Sequence, residues 1–154
     1  MIEVGAIIIV DAGSPDQVGF DIPDVPLLVI DHHATNGWEL KDNDLMLQWD
    51  VRATTEIITK FLSDHASNCL STNVRKMLLA GLITDTGRFK HANQSSFDTA
   101  SLLLEDTDID YAEFSEHLLD ICKILWISLS IHREIPAKSG MGPCSQIMPR
   151  AAHG

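Results

Sequence analysis

The chain has 154 residues, of which 45% are hydrophobic and 21% are charged, a composition typical of one globular domain with its own core. Its formal net charge of −11 argues against a large electrostatic footprint for duplex nucleic acid, because proteins with such a footprint carry excess Lys and Arg. A phosphorylated ligand would need a cation to bring it to so acidic a chain.

Cysteine spacing and apolar content exclude several other classes. Cys69, Cys122 and Cys144 are too widely spaced for a zinc knuckle or a Cys-x-x-Cys redox motif, so we expect reduced thiols in an intracellular protein. The N-terminal residues lack the basic region and cleavage site of a signal peptide. No apolar stretch reaches the length of a membrane span. The sequence therefore predicts a cytoplasmic protein without membrane association.

Two aliphatic runs near the N-terminus predict parallel strands. Residues 5–10 close on Asp11, and residues 26–30 close on Asp31, His32 and His33. Their hydrophobicity is continuous rather than alternating, which is typical of strands covered by helices on both faces. Because ligands bind at the carboxyl ends of strands in open α/β sheets, we expect these polar side chains to line a site.

Amphipathic patterns predict four helices further along the chain. Residues 53–66 and a segment from about 73 to 85 show apolar side chains at helical spacing, the second with Ser71 or Thr72 as its N-cap. A third helix through residue 104 would be capped by Ser96 or Asp98, and a fourth by Asp108 or Asp110. We expect residues 88–91 to be extended and residues 124–131 to be β-prone. The predicted domain covers residues 1–120, followed by a C-terminal tail at 121–154.

Three of these segments end on side chains that bind metals. Asp11 and His32 follow the two strands, and Asp85 lies at the end of the second helix on its apolar stripe. Carboxylate oxygens combined with imidazole suit Mn²⁺, Fe²⁺ or Mg²⁺, whereas a sulfur-rich set would indicate zinc. Manganese is the first choice of ion, and magnesium is the alternative.

Structural explanations compete for several of these residues. Asp11 could form a turn after its strand, and Asp85 could bond to the turn that follows it, although a helix C-terminus disfavours an acid. Arg88 is either a phosphate ligand or a surface cation. Thr54 belongs to a segment that is expected to cap its helix, with a secondary expectation that a hydroxyl of the segment approaches the site.

Taken together, four motifs resemble the DHH phosphoesterase family, and within it the RecJ-like and oligoribonuclease/phosphoadenosine-phosphate phosphatase branch. The resemblance covers the chain from about residue 7 to about residue 120. The motifs are Val10-Asp11, Ile30-Asp31-His32-His33, Ala53-Thr54-Thr55-Glu56-Ile57 and Gly81-Leu82-Ile83-Thr84-Asp85-Thr86-Gly87-Arg88-Phe89.

The resemblance implies a site for a pair of Mn²⁺ ions and a role for each residue. Asp11 would be the metal-bridging carboxylate, with His32 and Asp85 as further metal ligands. His33 would contact the substrate phosphate, and Asp31 would orient the histidines. The implied reaction is in-line attack of an activated water on phosphorus.

The sequence also departs from the family pattern. The family's first motif, a histidine followed by two aspartates, has no counterpart here, and residues 124–154 do not resemble the family's C-terminal substrate-binding domain. We therefore expect the core of a larger enzyme, an α/β domain that is incomplete at its N-terminus.

Two functional hypotheses follow. The first is a manganese-dependent phosphoesterase acting on small phosphate esters: short oligonucleotides, a cyclic dinucleotide or a 3′-phosphonucleotide. The second is a catalytically impaired fragment that binds a metal or a nucleotide. A dinucleotide-binding module is disfavoured because no Gly-x-Gly-x-x-Gly follows the first strand. An uncovered sheet edge or face would favour self-association into a homo-oligomer.

Overall fold

The protein is described here by a computed structural model that covers residues 4–131, with side chains through residue 121. These residues form a parallel three-stranded sheet and four α-helices, so the predicted α/β class is confirmed. In chain order the elements are β1 (Ile7–Val10), β2 (Leu27–Asp31), β3 (Leu45–Gln48), α1 (Thr54–His65), α2 (Thr72–Asp85), α3 (Gln94–Leu104) and α4 (Tyr111–Ile131).

The strand order β1-β2-β3 follows the chain, and both pairings are parallel. Val10 pairs with Ile30, and Asp31 pairs with Gln48, so the three strands end at nearly the same level. The residues after each strand therefore meet at one edge of the sheet, where ligands bind in folds of this class. β3 was not among the predicted strands.

The two faces of the sheet differ sharply in exposure. On the face that packs against α1, Val29 is fully buried and Ile9 is 6% exposed. On the opposite face, Ile8 is 66% exposed and Leu45 is 67% exposed, with Leu28 between them in register. We expected helices to pack on both faces of the sheet. Within residues 4–131, no helix covers Ile8 and Leu45.

At the starts of α2, α3 and α4, polar side chains bind the first backbone amides. Ser71 caps α2, and Asp110 accepts a 3.1 Å bond from a backbone amide in the first turn of α4, as predicted. The predicted cap of α3 was wrong. Asn93 caps that helix, and Ser96 completes a capping box from the third helical position.

α1 and α2 approach each other closely through a glycine. A Cβ at Gly81 would lie 2.5 Å from Cγ2 of Thr55, so this position in α2 requires the smallest residue. The short connection between the helices makes them antiparallel, so α1 leads away from the sheet edge and α2 returns to it. The core lies among α1, α2 and α3 and contains Ala53, Leu70, Leu78, Leu79, Leu82, Ile83, Ala100 and Leu103.

Two further expectations differ from the structure. Residues 88–91 form turns rather than an extended segment, and residues 124–131 continue α4 as helix rather than strand. α4 thereby crosses the predicted domain boundary at residue 120, whereas most of the predicted tail lies outside the described residues. None of the helices within residues 4–131 has both the length and the hydropathy that spanning a membrane requires.

Candidate metal centre

Asp11 follows β1 in a left-handed backbone conformation, with φ of 59°. This region is uncommon for residues other than glycine, although aspartate tolerates it better than most. Ala12 and Gly13, which follow, are held by residues 37 and 38. The indole Nε1 of Trp38 donates a 2.7 Å hydrogen bond to the carbonyl of Ala12, and the backbone N–H of Gly37 donates one of 2.7 Å to the carbonyl of Gly13. The Asp11 side chain is 47% exposed at the sheet edge.

β2 ends on a buried carboxylate and two imidazoles. Asp31 is fully buried and accepts two hydrogen bonds from His33, one of 3.2 Å from its backbone N–H and one of 2.6 Å from Nδ1 of its ring. The side-chain amide of Gln48, at the end of β3, donates to the carbonyl of His33. The ring and the backbone of His33 are therefore both fixed, by Asp31 at the end of β2 and by Gln48 at the end of β3.

In the described part of the chain, one group of three residues has the geometry of a metal site: Asp11, His32 and His33. One ligand atom from each lies within 4.8 Å of the others. Nε2 of His32 is 3.5 Å from Oδ1 of Asp11, and the two histidine rings have centroids 4.7 Å apart. The strand ends thus bring together three of the residues that the sequence singled out.

Asp85 lies outside that group but is coupled to it electrostatically. It is the last residue of α2, one turn after the Gly81 contact with α1, so the helix packing directs it to the sheet edge. Burial and the neighbouring charge of Asp11 raise the pKa of Asp85 to about 6, against opposing contributions from His32 and His33. A half-buried carboxyl beside another carboxylate is a group that a cation would stabilise in its charged form.

The pKa of His33 is raised from its ordinary value. The hydrogen bond to Asp31 is the main cause, and the charges of Asp31, Asp11 and Asp85 add to it while partial burial opposes it. A carboxylate behind an imidazole fixes the ring's tautomer and orientation, an arrangement common around protein-bound metals and in acid–base sites. Asp31 lies behind the His33 ring and contacts its Nδ1.

Thr54 contacts the site in a way that the helix-capping expectation did not anticipate. The N-cap of α1 is Ala53, with no side-chain cap, and the Thr54 hydroxyl instead donates a 2.8 Å hydrogen bond to Oδ1 of Asp11. The secondary expectation, that a hydroxyl of this segment approaches the site, describes the observed contact. Gln48 and Trp38 gave no sequence signal, because their contacts depend on how separate loops pack.

Arg88 lies in a left-handed turn directly after α2. Gly87, Arg88 and Phe89 have φ values of 56°, 61° and 65°, and the turn is held by the buried Thr86 hydroxyl, which accepts a 3.0 Å bond from Phe89 N. Arg88 and His91 are both exposed. Neither residue belongs to the three-residue cluster.

The donor set fits a divalent metal ion. One carboxylate and two imidazoles, with a further carboxyl nearby, combine oxygen and nitrogen ligands and include no thiolate. Carboxylate oxygens bind hard divalent ions, and imidazole nitrogens add affinity for divalent transition-metal ions.

Comparisons with known proteins agree with the fold. No protein-family model matches the chain. An uncharacterized protein of Methanocaldococcus jannaschii is 31% identical over 103 residues, which cover 65% of this chain and 31% of that protein. The crystal structure of a candidate family II inorganic pyrophosphatase from Methanococcus jannaschii superposes with a TM-score of 0.59 and 23% identity, covering 80% of this chain and 44% of the other. The chain spans less than half the length of each protein, and it shares the α/β fold of the pyrophosphatase candidate over most of its own length.

Proposed function

We propose that this chain is a manganese-dependent phosphoesterase domain of the DHH type that acts on small phosphate esters. Short oligonucleotides, a cyclic dinucleotide and a 3′-phosphonucleotide are the proposed substrate classes. The observation that carries the proposal is the cluster of Asp11, His32 and His33, with Asp31 buried behind it, at the carboxyl edge of a parallel sheet. Likeness in fold to a pyrophosphatase candidate supports it and adds pyrophosphate to the substrates worth testing.

In this proposal Asp11, His32 and Asp85 hold the metal. Asp11 and His32 already lie 3.5 Å apart through Oδ1 and Nε2, a distance that leaves a cation able to approach both. Asp85 supplies a second carboxylate, whose pKa is raised first by burial and then by the neighbouring charge of Asp11. When bound, Mn²⁺ would supply Lewis-acid polarisation of the phosphate and a more acidic water. Mg²⁺ is the alternative ion.

His33 and Asp31 form the proposed catalytic pair. Nδ1 of His33 is engaged by Asp31, which leaves Nε2 as the ring nitrogen free of that contact. A protonated His33, favoured by its raised pKa, would donate a hydrogen bond to a phosphate oxygen and offset its negative charge. Asp31 holds the ring in place and stays buried throughout. Arg88, exposed next to the site's helix end, is a weaker candidate for a second phosphate contact.

The second proposed function is a metal- or nucleotide-binding module with impaired catalysis. It is favoured by the position of Asp85 outside the three-residue cluster and by the chain's coverage of less than half of each relative. Catalytic groups of the relatives could then lie in the part that this chain does not match. The two functions differ in turnover rather than in metal binding.

Calorimetric titration with MnCl₂ and hydrolysis assays separate these possibilities. We expect the chain to bind Mn²⁺, and His32→Ala and Asp85→Ala to abolish binding, whereas Asp64→Ala, at the far end of α1, should bind as wild type does. Turnover of bis-p-nitrophenyl phosphate or pyrophosphate that requires Mn²⁺ would support the enzyme. Binding without turnover would favour the module, and unchanged binding in both site variants would refute the metal assignment.

A further inference from the structure

We propose that Thr54 is a positioning residue that fixes the Asp11 carboxylate for metal binding. The inference rests on the proposed metal site and concerns how that site is kept in shape. Thr54 is 3% exposed and is the first residue of α1, whereas Asp11 follows β1, 43 residues earlier in the chain. Their 2.8 Å hydrogen bond joins the start of a helix to the end of a strand.

Without this bond, little would restrain the Asp11 side chain. The side chain is 47% exposed, and its other polar contact within the described residues is Nε2 of His32, 3.5 Å from the same oxygen, Oδ1. A carboxylate has about four lone-pair sites, of which the Thr54 hydroxyl takes one. The remaining site on Oδ1 and both sites on Oδ2 stay available to a cation, so Thr54 restricts rotation without blocking coordination.

The hydroxyl of Thr54 does not serve the helix itself. α1 has no side-chain cap, and its first turn is tied down by Glu56 instead. That buried carboxylate accepts bonds of 3.0 Å from Arg52 N, 2.6 Å from Ser95 Oγ and 3.1 Å from Ser96 Oγ. Removing the Thr54 hydroxyl should therefore leave the start of α1 in place while releasing Asp11.

A neighbouring threonine provides a matched control. Thr59 lies on the same helix and is 2% exposed, but its Oγ1 has no hydrogen-bond partner within the described residues. Thr→Val replaces a hydroxyl by a methyl group of similar size at either position. The two substitutions thus make the same chemical change in buried positions of one helix, and only one of them breaks a contact with the site.

The experiment measures Mn²⁺ affinity by calorimetry and the melting temperature of the metal-free protein for Thr54→Val, Thr54→Ser and Thr59→Val. Removing a group that orients a metal ligand typically weakens affinity by about 10- to 100-fold. We expect this loss for Thr54→Val, recovery to within about threefold of wild type for Thr54→Ser, and no change for Thr59→Val. Without metal, Thr59→Val should melt no lower than wild type, because it removes an unpaired buried hydroxyl, and Thr54→Val should melt at most about 4 °C lower, because it removes one hydrogen bond.

The outcomes separate this inference from the proposed function. Wild-type binding that persists undiminished in Thr54→Val overturns the role of Thr54 and leaves the metal site standing. An equal loss of affinity in Thr59→Val also overturns it, because general loosening of α1 would then be the cause. Absence of Mn²⁺ binding in the wild type overturns both. Should Thr54→Val not fold, the smaller Thr54→Ala variant titrated at low temperature gives the same comparison.

Discussion

A 2.6 Å hydrogen bond joins the ring of His33 to the carboxylate of Asp31, and the two residues are separated by His32 alone. Asp31 is completely buried at the end of β2, whereas the His33 side chain is 41% exposed. One partner thus belongs to the core and the other to the site. The hydrogen bond fixes the imidazole ring to the rigid sheet while part of the ring stays accessible to solvent.

The first expectation concerns this pair. Asp31→Asn removes the main cause of the raised His33 pKa, so that pKa should fall toward its ordinary value of 6.5. In the wild type, protonated His33 stabilises the fold fully below pH 6.5, and this stabilisation is lost as pH rises through the folded-state pKa. The variant lacks it and should therefore be more destabilised at pH 5.5 than at pH 9. NMR titration of His33 and urea unfolding at both pH values measure this. Equal destabilisation at both pH values would contradict it.

The two histidines should respond differently to substitution. His32→Ala should weaken Mn²⁺ binding by 100-fold or more, because its Nε2 faces Asp11. His33→Gln should keep Mn²⁺ affinity within about fivefold while lowering the Mn²⁺-saturated turnover of bis-p-nitrophenyl phosphate by about 100-fold, the usual contribution of a general acid or proton donor. Calorimetry and steady-state assays on both variants test this division. Equal losses of metal affinity would make His33 a ligand, which its membership of the cluster would also allow.

Asp85 should make the metal-free fold less stable as pH rises. Its folded-state pKa of about 6 exceeds its ordinary value of 3.8, so its stabilising contribution is complete below pH 3.8 and is lost as pH rises through 6. Asp85→Asn should therefore gain about 1 kcal/mol over wild type at pH 8 in EDTA, after allowance for solvent screening, and nothing at pH 3.5.

Thermal unfolding with and without Mn²⁺ checks this expectation. The Asn variant should melt about 4 °C above wild type at pH 8 without metal and should lose the stabilisation that Mn²⁺ gives the wild type. An Asn variant that melts below the wild type in EDTA at pH 8 would show that the Asp85 carboxylate is favourably placed even without a cation.

Glu56 should be one of the most sensitive buried polar residues. Its carboxylate accepts hydrogen bonds from Arg52 N, Ser95 Oγ and Ser96 Oγ and so joins α1 to the start of α3. Glu56→Ala leaves those donors without their acceptor, and we expect a loss of about 2–4 kcal/mol in the free energy of unfolding. Urea denaturation measures it, with the exposed Asp98→Ala on α3 as the control, which should change by less than about 0.5 kcal/mol.

Adjacent residues of β1 test the open face of the sheet. Ile9→Thr places a hydroxyl in the core and should cost about 2–3 kcal/mol, whereas Ile8→Thr, at a side chain that is 66% exposed, should cost less than about 0.5 kcal/mol. If the open face mediates the proposed self-association, Ile8→Thr combined with Leu45→Thr should shift the protein toward monomer in size-exclusion chromatography. Comparable costs for the two single variants would mean that the face is covered.

The sequence was sufficient to predict that the residues after β1 and β2, namely Asp11, His32 and His33, lie close together. Continuous aliphatic runs predicted β1 and β2, and parallel pairing then required Asp11 to lie beside His32 and His33. This inference succeeds because the ends of adjacent parallel strands coincide whatever the details of packing. The position of Asp85 could not be derived in this way, because it depends on the close contact at Gly81 between α1 and α2.

Other features could not be read from local patterns. β3 has only four residues and mixed exposure, so its hydrophobic signal is weak and its conformation depends on pairing with β2. Residues 124–131 include three isoleucines and two leucines, yet they continue α4. Extending an existing helix adds a hydrogen bond per residue, which overrides a modest β preference. The Asn93 cap was missed because Ser96, three residues later, offers an equally plausible side chain.

The left-handed backbone of Asp11 ties two requirements to one position. The residue there has to reverse the chain after β1 and also carry a carboxylate, and among side chains that accept this conformation only aspartate does both. Glycine or asparagine would keep the turn and lose the charge, whereas glutamate would keep the charge at the expense of the turn. Under the proposed function, glycine or asparagine at this position should therefore give proteins that fold normally but do not bind the metal, which is a simple route from an active domain to an inactive descendant.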